Sequence, residues 1–248
     1  MIAESAESGI KFVVMGDTAA AGSFSDEVAD RLRERIMTGR LRAGDRLPLG
    51  RLATELGVSA TPVREALLAL RGEGFVELEP RRGFTVAALS RHDVEDAHRV
   101  QAGIAGELAA RATRRITTAE ITDLAALHDR MRSAARGASA EVGPLVRRFH
   151  DIVGELARSR KLLWFLGIAL RYTPGRVTAS LPGWPEMAVT DHHRILQAMS
   201  DGAPAAARAA TQRHVVHSGR LLIHHLEQRG MWIGESENRP PGEEFRIT

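Results

Sequence analysis

The sequence predicts a mostly α-helical protein in two parts: a small domain of three helices plus a β-hairpin, then an all-α helical bundle. Three observations predict it. Hydrophobic residues make up 44% of the 248 residues but aromatics only 4%, so the core must come from Leu, Ala, Val and Ile, of which Ala and Leu favour helices. Apolar residues recur at helical spacing along most of the chain. The pattern changes to alternation in FVELEPRRGFTVAAL, residues 75–89, where it predicts two strands joined by a turn.

Residues 1–23 read as a disordered lead. The stretch IKFVVM (10–15) is too short for a signal-peptide core and lacks a clear basic lead, and Met15 stands as a second candidate start. A helix follows over 25–39, with Ser25 as its cap, Val28, Leu32 and Ile36 as its apolar stripe, and Gly39 at its end. After the linker LRAGDRL, a short helix runs from Leu49 to Leu56 and stops at Gly57, which can take the left-handed conformation. The next helix starts near Thr61. Pro62 suits a first helical position, where its missing N–H costs nothing, and proline holds the preceding Thr61 extended, as a cap requires. Val63, Leu67, Leu68 and Leu70 then point inward until Gly72-Glu73-Gly74 breaks the helix. Arg81-Arg82-Gly83 turns between the two strands. Helix, helix, helix and hairpin, in that order, make a winged helix-turn-helix over 24–90.

Beyond Ser90 one long helix follows another: 92–113, 118–136, 142–159, 161–172, 185–200 and 203–228. Thr117-x-x-Glu120 is a capping-box pattern opening the second of them. SLPGWP (180–185) reads as a loop, and 231–248, with Pro240 and Pro241, as a flexible tail. The helical part is therefore placed at 91–230, hinged to the first near 88–92.

Composition bounds the chemistry. There is no cysteine, so disulfides and thiolate metal sites are excluded, which fits a reducing compartment. No run approaches the roughly 18 apolar residues of a membrane span, and a cytoplasmic protein without a membrane partner is expected. Of the 34 basic residues, 32 are Arg, but the net charge is only +3. Residues 24–90 carry 11 Arg against 10 Asp and Glu. Affinity for nucleic acid must therefore come from the placement of arginines rather than from bulk charge.

That placement is specific. A helix N-terminus holds unpaired N–H groups and partial positive charge, and so binds phosphate. Ser59 and Thr61 add hydroxyls there. Arg64, one turn in and opposite Val63 and Leu67, could meet a guanine edge through two parallel N–H bonds. Arg81, Arg82 and Gly83 form a basic wing tip suited to phosphate or the minor groove. Taken singly, each residue could be a cap or a solvated side chain. Two arginines beside a glycine at a hairpin tip, however, have no core to serve.

These residues carry a resemblance. LRAGDRL, LATELGVSATPVREALLAL, EGFVELEP and RRGFTV together resemble the N-terminal domain of the GntR family of bacterial transcription regulators, without a gap. The family pattern has an arginine between the Ser and Thr of the helix start, where this chain has Ala60. In the family that arginine helps contact the operator, so the resemblance implies a shifted operator preference or weaker binding, with more reliance on Arg64 and the wing.

Three histidines stand out in the second part. His150 shares a face with Val146, Val153 and Ala157; His192 with Ile195 and Met199; His214 with Ala210 and Leu221. A buried imidazole needs a partner, and three facing one cavity suit Zn²⁺ or a similar ion. The bland alternative is three ordinary helix histidines, each hydrogen-bonded singly. The contexts FH (149–150), HRILQAM after a histidine, and a last-helix histidine resemble the FCD ligand domain of the FadR branch of the same family. That resemblance implies an all-α bundle and a divalent metal, Zn or Ni, on three histidines plus an Asp one turn before the first. Here that position is Val146, and Gln101 and Ala105 stand where the family tends to have Arg and Glu.

The leading expectation is a homodimeric transcription regulator that binds a palindromic operator in double-stranded DNA. By family precedent its helical domain takes a small effector, an organic acid or acyl compound, and repression is relieved by it. Two alternatives stay open. One is a metal-dependent hydrolase built on the three histidines, against which no carboxylate stands one turn from them and Glu155 lies off the face. The other is an architectural DNA binder with a purely structural helical domain.

Overall fold

Val28, Leu32 and Ile36 lie one turn apart and are all buried, so the first helix folds with one face against its neighbours. The computed structural model describes residues 24–173 and 175–232. The disordered lead, the alternative start at Met15 and the tail from residue 233 lie outside the described residues.

Helix α1 spans Phe24–Met37, α2 Leu49–Leu56 and α3 Ala60–Gly72. Gly57 ends α2 at φ +69°, where a β-carbon would be strained. The N-terminal half departs from expectation in three places. Because α1 already begins at Phe24, Ser25 lies inside its first turn rather than capping it. Ser59, extended at φ −75° and ψ 167°, is the residue that caps α3, so Thr61 and Pro62 are the second and third helical residues. A proline is tolerated there because the first four N–H groups of a helix have no intrahelical acceptor. Leu68 is exposed, while Ala66 takes a place in the stripe with Val63, Leu67 and Leu70.

Strand β1 (Val76–Glu79) pairs antiparallel with β2 (Gly83–Val86), with Val76 opposite Val86 and Glu79 opposite Gly83. The linker supplies an edge that the alternation did not reveal. Arg46 bridges Thr85, the Leu47 N–H donates to the Phe84 carbonyl at 2.8 Å, and the Val86 N–H donates to the Asp45 carbonyl at 3.0 Å. The wing is thus pinned on both sides of β2.

The helical part contains α4 (Arg91–Thr113), α5 (Thr118–Gly137), α6 (Val142–Ala157), α7 (Arg160–Ala169), α8 (Gly175–Ala179), α9 (Trp184–Ser200) and α10 (Pro204–Gln228). Thr117 and Glu120 form the expected capping box, and Ser90 with Asp93 forms another that opens α4. The expected 142–159 helix stops at Ala157 because Arg158 turns left-handed at φ +49°. The expected 161–172 helix tightens into a 3-10 turn at Leu170–Tyr172. The five-residue α8 was not anticipated. Trp232, expected in the flexible tail, is half-buried, and its indole N–H donates to the Leu89 carbonyl at 2.8 Å.

Helix α4 runs along α10, and α9 packs between α10 and α5. The α4–α10 approach is close because glycines stand at the crossings. A β-carbon on Gly219 would fall 2.6 Å from Cγ of His98, and one on Gly106 would fall 2.8 Å from Cγ of Gln212. Helix α7 is different. It is rich in apolar residues, yet only Ala169 is buried, and Trp164, Phe165 and Ile168 are 58%, 50% and 38% exposed.

Candidate functional site

Two groups of residues stand apart from the packing. The first is on the N-terminal part. Ser59, Thr61 and Arg64 on α3, and Arg81, Arg82 and Gly83 at the wing tip, are all exposed. Arg81 holds a left-handed conformation at φ +66° and Gly83 one at φ +80°, which turns the chain tightly at the tip. Arg82 is tethered to its own wing, with Nη1 donating to Glu79 Oε2 at 2.9 Å. The Arg82 contact leads in holding the Glu79 carboxyl below its usual range, and the Thr85 hydroxyl adds to it. Arg64 is exposed on α3 and has no protein partner among the described residues. The start of α3 and a basic loop are thus both exposed, the two kinds of group with which a protein holds a duplex backbone.

The second group lies inside the helical part. α6 contributes His150, α9 His192 and α10 His214, and one ligand atom from each lies within 4.8 Å of the others. The rings are packed on one another, with centroids 4.9 Å apart for His150 and His192, 4.4 Å for His192 and His214, and 5.5 Å for His150 and His214. Phe149 lies edge-on to His192 and closes one side. His192 Nδ1–H donates to the Ala188 carbonyl at 2.8 Å, which fixes the tautomer and turns the Nε2 lone pair toward the cluster.

Burial dominates the electrostatics. It pushes the His150 imidazolium down to about 3, with the charge of His214 adding to it. It lowers His192 well below the ordinary value, helped by His214 and then His150. Neutral imidazoles are the form that binds a metal. His192 Nε2 and His150 Nε2 are 3.2 Å apart, close to the roughly 3.3 Å edge of a tetrahedron with metal–nitrogen bonds of about 2.0–2.1 Å. His214 Nδ1 and Thr211 Oγ1, both buried on α10, have no hydrogen-bond partner among the described residues. Buried polar atoms without partners are costly, so this region suits a polar occupant. The donor set and its spacing fit a divalent ion such as Zn or Ni.

Val146, one turn before His150, is buried and offers no donor. A carboxylate nevertheless reaches the cluster from a position that the one-turn spacing did not cover. Asp191 Oδ2 lies 3.8 Å from His214 Nδ1 and accepts a hydrogen bond from His217 Nδ1 at 2.9 Å, while Arg194 holds Oδ1 at 2.9 Å. Burial alone would raise this carboxyl, but the imidazoles of His214 and His217 outweigh it and hold it at about 2. At 3.8 Å the influence of His214 is exerted through charge, since the gap exceeds hydrogen-bond length. Asp191 escaped sequence reasoning because it precedes His192 directly. Neighbouring helical residues point about 100° apart, so spacing along α9 gave no sign that Asp191 would serve a histidine of α10.

Each part of the chain matches a known family. Residues 24–86 match the family described as "Bacterial regulatory proteins, gntR family", and residues 96–217 match the FCD domain. The chain is 24% identical over 214 residues to the HTH-type transcriptional regulator YdhC of Bacillus subtilis, covering 80% of this chain and 91% of that one. It is 29% identical over 198 residues to a probable D-xylose utilization operon transcriptional repressor of Paenarthrobacter nicotinovorans, covering 77% and 85%. Among solved structures, McbR/YncC of E. coli shares the fold with a TM-score of 0.61 at 21% identity, covering 84% of this chain and all of that one.

Proposed function

The chain belongs to the gntR family of bacterial regulatory proteins, with an FCD domain behind its winged helix, and from that premise we propose a homodimeric repressor whose helical domain binds a small carboxylate- or acyl-bearing effector at His150, His192 and His214. The coarser role is that of its relatives: a DNA-binding transcription regulator and not an enzyme. The low basicity of Asp191, held by two imidazoles and an arginine, also argues against its serving as the general base of a hydrolase.

In this reading the N-terminus of α3 lies against duplex phosphates, with Ser59 and Thr61 donating to them. Arg64 reads a base edge, and Arg81, Arg82 and Gly83 follow the adjoining backbone or minor groove. The observation that carries it is the joint exposure of all six residues on one domain, beside the buried Val63 and Phe84.

The three histidines would hold the metal. A bound divalent ion supplies positive charge and open coordination positions to an oxygen ligand. Around it, His192 is oriented by the Ala188 carbonyl, Phe149 keeps one wall dry, and Thr211 offers a hydroxyl to a polar occupant. Two copies are needed to read a palindrome, and the exposed apolar face of α7 supports self-association. Effector binding then acts by favouring one spacing of the two winged domains over another.

The decisive experiment is selection of bound duplexes from a random pool by the full chain, followed by footprinting. Two related half-sites protected together are expected. Equal retention of all sequences would overturn the specific-regulator reading.

A further inference from the structure

Glu73 is a carboxylate placed where α3 ends, and its side chain is only 9% exposed. A buried charge at a helix terminus needs partners, and Glu73 draws them from both halves of the molecule. Its Oε2 accepts from Arg33 of α1, from Nε at 3.0 Å and Nη2 at 2.8 Å. Its Oε1 accepts from Nη1 of Arg171, in the 3-10 turn of the helical part, and its main-chain carbonyl accepts the Tyr172 hydroxyl. The Tyr172 ring lies tilted by 31° against Phe75 with centroids 4.7 Å apart, and the Arg33 guanidinium lies over the same Phe75 ring, 5.9 Å from its centroid. Between Glu73 and Phe75 the chain passes through Gly74 at φ +81°, where a β-carbon would come 3.6 Å from the Tyr172 hydroxyl.

The turn is fixed equally well on its other side. Gln101 of α4 donates through Nε2 to the Ala169 carbonyl at 2.8 Å and to Thr173 Oγ1 at 2.6 Å. Thr173 in turn lies 3.4 Å from His98 Nε2, and His98 Nδ1–H donates to the Val94 carbonyl. Residues 169–173 are therefore clamped to the first helix of the bundle, while Arg171 and Tyr172 project to the end of α3. The covalent connection between the halves is elsewhere, at Leu89 and Ser90, where Trp232 adds a hydrogen bond. A single connection leaves a domain free to swing, and a second, charged and directional contact removes that freedom.

We infer that the turn Leu170–Tyr172 is a strut that positions α3, with Arg171 and Tyr172 setting the orientation of the helix through Glu73. The strut deepens the proposed function, since it rests on α3 being the helix that reads DNA. Arg171 and Tyr172 are positioning residues. They lie on the far side of α3 from its exposed N-terminus and act on DNA only through the angle at which α3 is presented. A cleft of about 350 Å³ lined by Glu73, Trp164, Ile168, Arg171 and Tyr172 runs beside the contact, so the Arg171 side chain has room to leave it.

The absence of cysteine makes the test direct. Spin labels on Ala69→Cys and Ala126→Cys, both exposed positions, report the distance between α3 and the bundle in the full chain, mixed with excess unlabelled protein. A narrow distribution is expected for the parent. Arg171→Ala with Tyr172→Phe should broaden it, Tyr172→Phe alone should broaden it less, and Arg171→Lys should restore most of the order. In the random-duplex selection, the double variant should recover half-sites with relaxed spacing and about tenfold weaker affinity, while binding at one half-site is retained. Unchanged distances in both the single and the double variant overturn the strut. If the parent selects no duplex, the reading of α3 fails, but the label distances still decide whether the strut exists.

Discussion

His192 Nε2 lies 3.2 Å from His150 Nε2, although the two residues are 42 positions apart in sequence. His192 has already committed its Nδ1–H to the Ala188 carbonyl. With both rings neutral, the proton between the two must therefore come from His150 Nε2. When His150 shifts to its Nδ1–H tautomer, both Nε2 lone pairs are free, and a divalent cation between them would satisfy both nitrogens at once. Protein purified without an affinity tag is expected to carry about one equivalent of zinc or nickel per chain by elemental analysis. Metal at a hundredfold excess over its dissociation constant should add about 2.7 kcal/mol of stability. The variant with His150, His192 and His214 all changed to Ala should show neither effect. Equal metal content in parent and variant retires the site.

Arg64 is exposed on α3 with no protein partner among the described residues, so its removal disturbs no packing. Arg64→Ala is expected to weaken binding to a selected duplex by one to two orders of magnitude, the loss of about 1–3 kcal/mol that a paired guanine contact implies. Affinity for a scrambled duplex at the same salt should change much less. Equal losses on both duplexes would reduce Arg64 to a phosphate contact.

The stability of the protein should fall on mild acidification, and His98 is a separable contributor. Burial lowers its imidazolium below the ordinary value of 6.5, against the opposing hydrogen bond to Val94. Above 6.5 the ring is neutral in the folded and unfolded chain, and its contribution is complete. As the pH drops below 6.5, the unfolded chain takes up a proton that the folded chain refuses, so stability is lost toward the depressed folded value. The urea midpoint of metal-free protein should decline between about pH 7 and about pH 5. His98→Gln should make that decline shallower. A slope identical to the parent's would show that His98 titrates alike in both states.

Trp164 and Phe165 expose half or more of their surface on α7, and Val100 of the neighbouring α4 is 55% exposed. Exposed aromatic area of this kind is what contacts between proteins bury, so this face is where self-association is expected. Trp164→Glu is expected to shift the protein from dimer to monomer in analytical ultracentrifugation while leaving the helical circular dichroism intact. A persistent dimer would move the interface to another face.

Much of this architecture was legible from residue order. The stripe Val28, Leu32 and Ile36, the stop at Gly57, the alternating strands and the Thr117–Glu120 capping box are local features whose causes lie within a turn or two of chain. Boundaries were less secure. Ser59 rather than Thr61 caps α3, because an early proline is compatible with several positions in a first turn. Leu68 reads as inward-facing in the sequence and is exposed, since hydrophobicity alone does not say whether a partner covers a side chain.

The sequence by itself determined the helix-rich composition, the winged hairpin with its arginines, and the apolar faces on which His150, His192 and His214 sit. All of these follow from short-range periodicity and backbone preference. Only the tertiary structure decided that three helices converge those rings, that Asp191 rather than a residue at position 146 supplies the nearby carboxylate, and that Glu73 is gripped by Arg33 and Arg171 together. The physical reason is that a side chain's partners across a core depend on the angles and offsets at which helices pack. Those angles come from interlocking side chains and close glycine approaches far apart in sequence, such as Gly219 against His98.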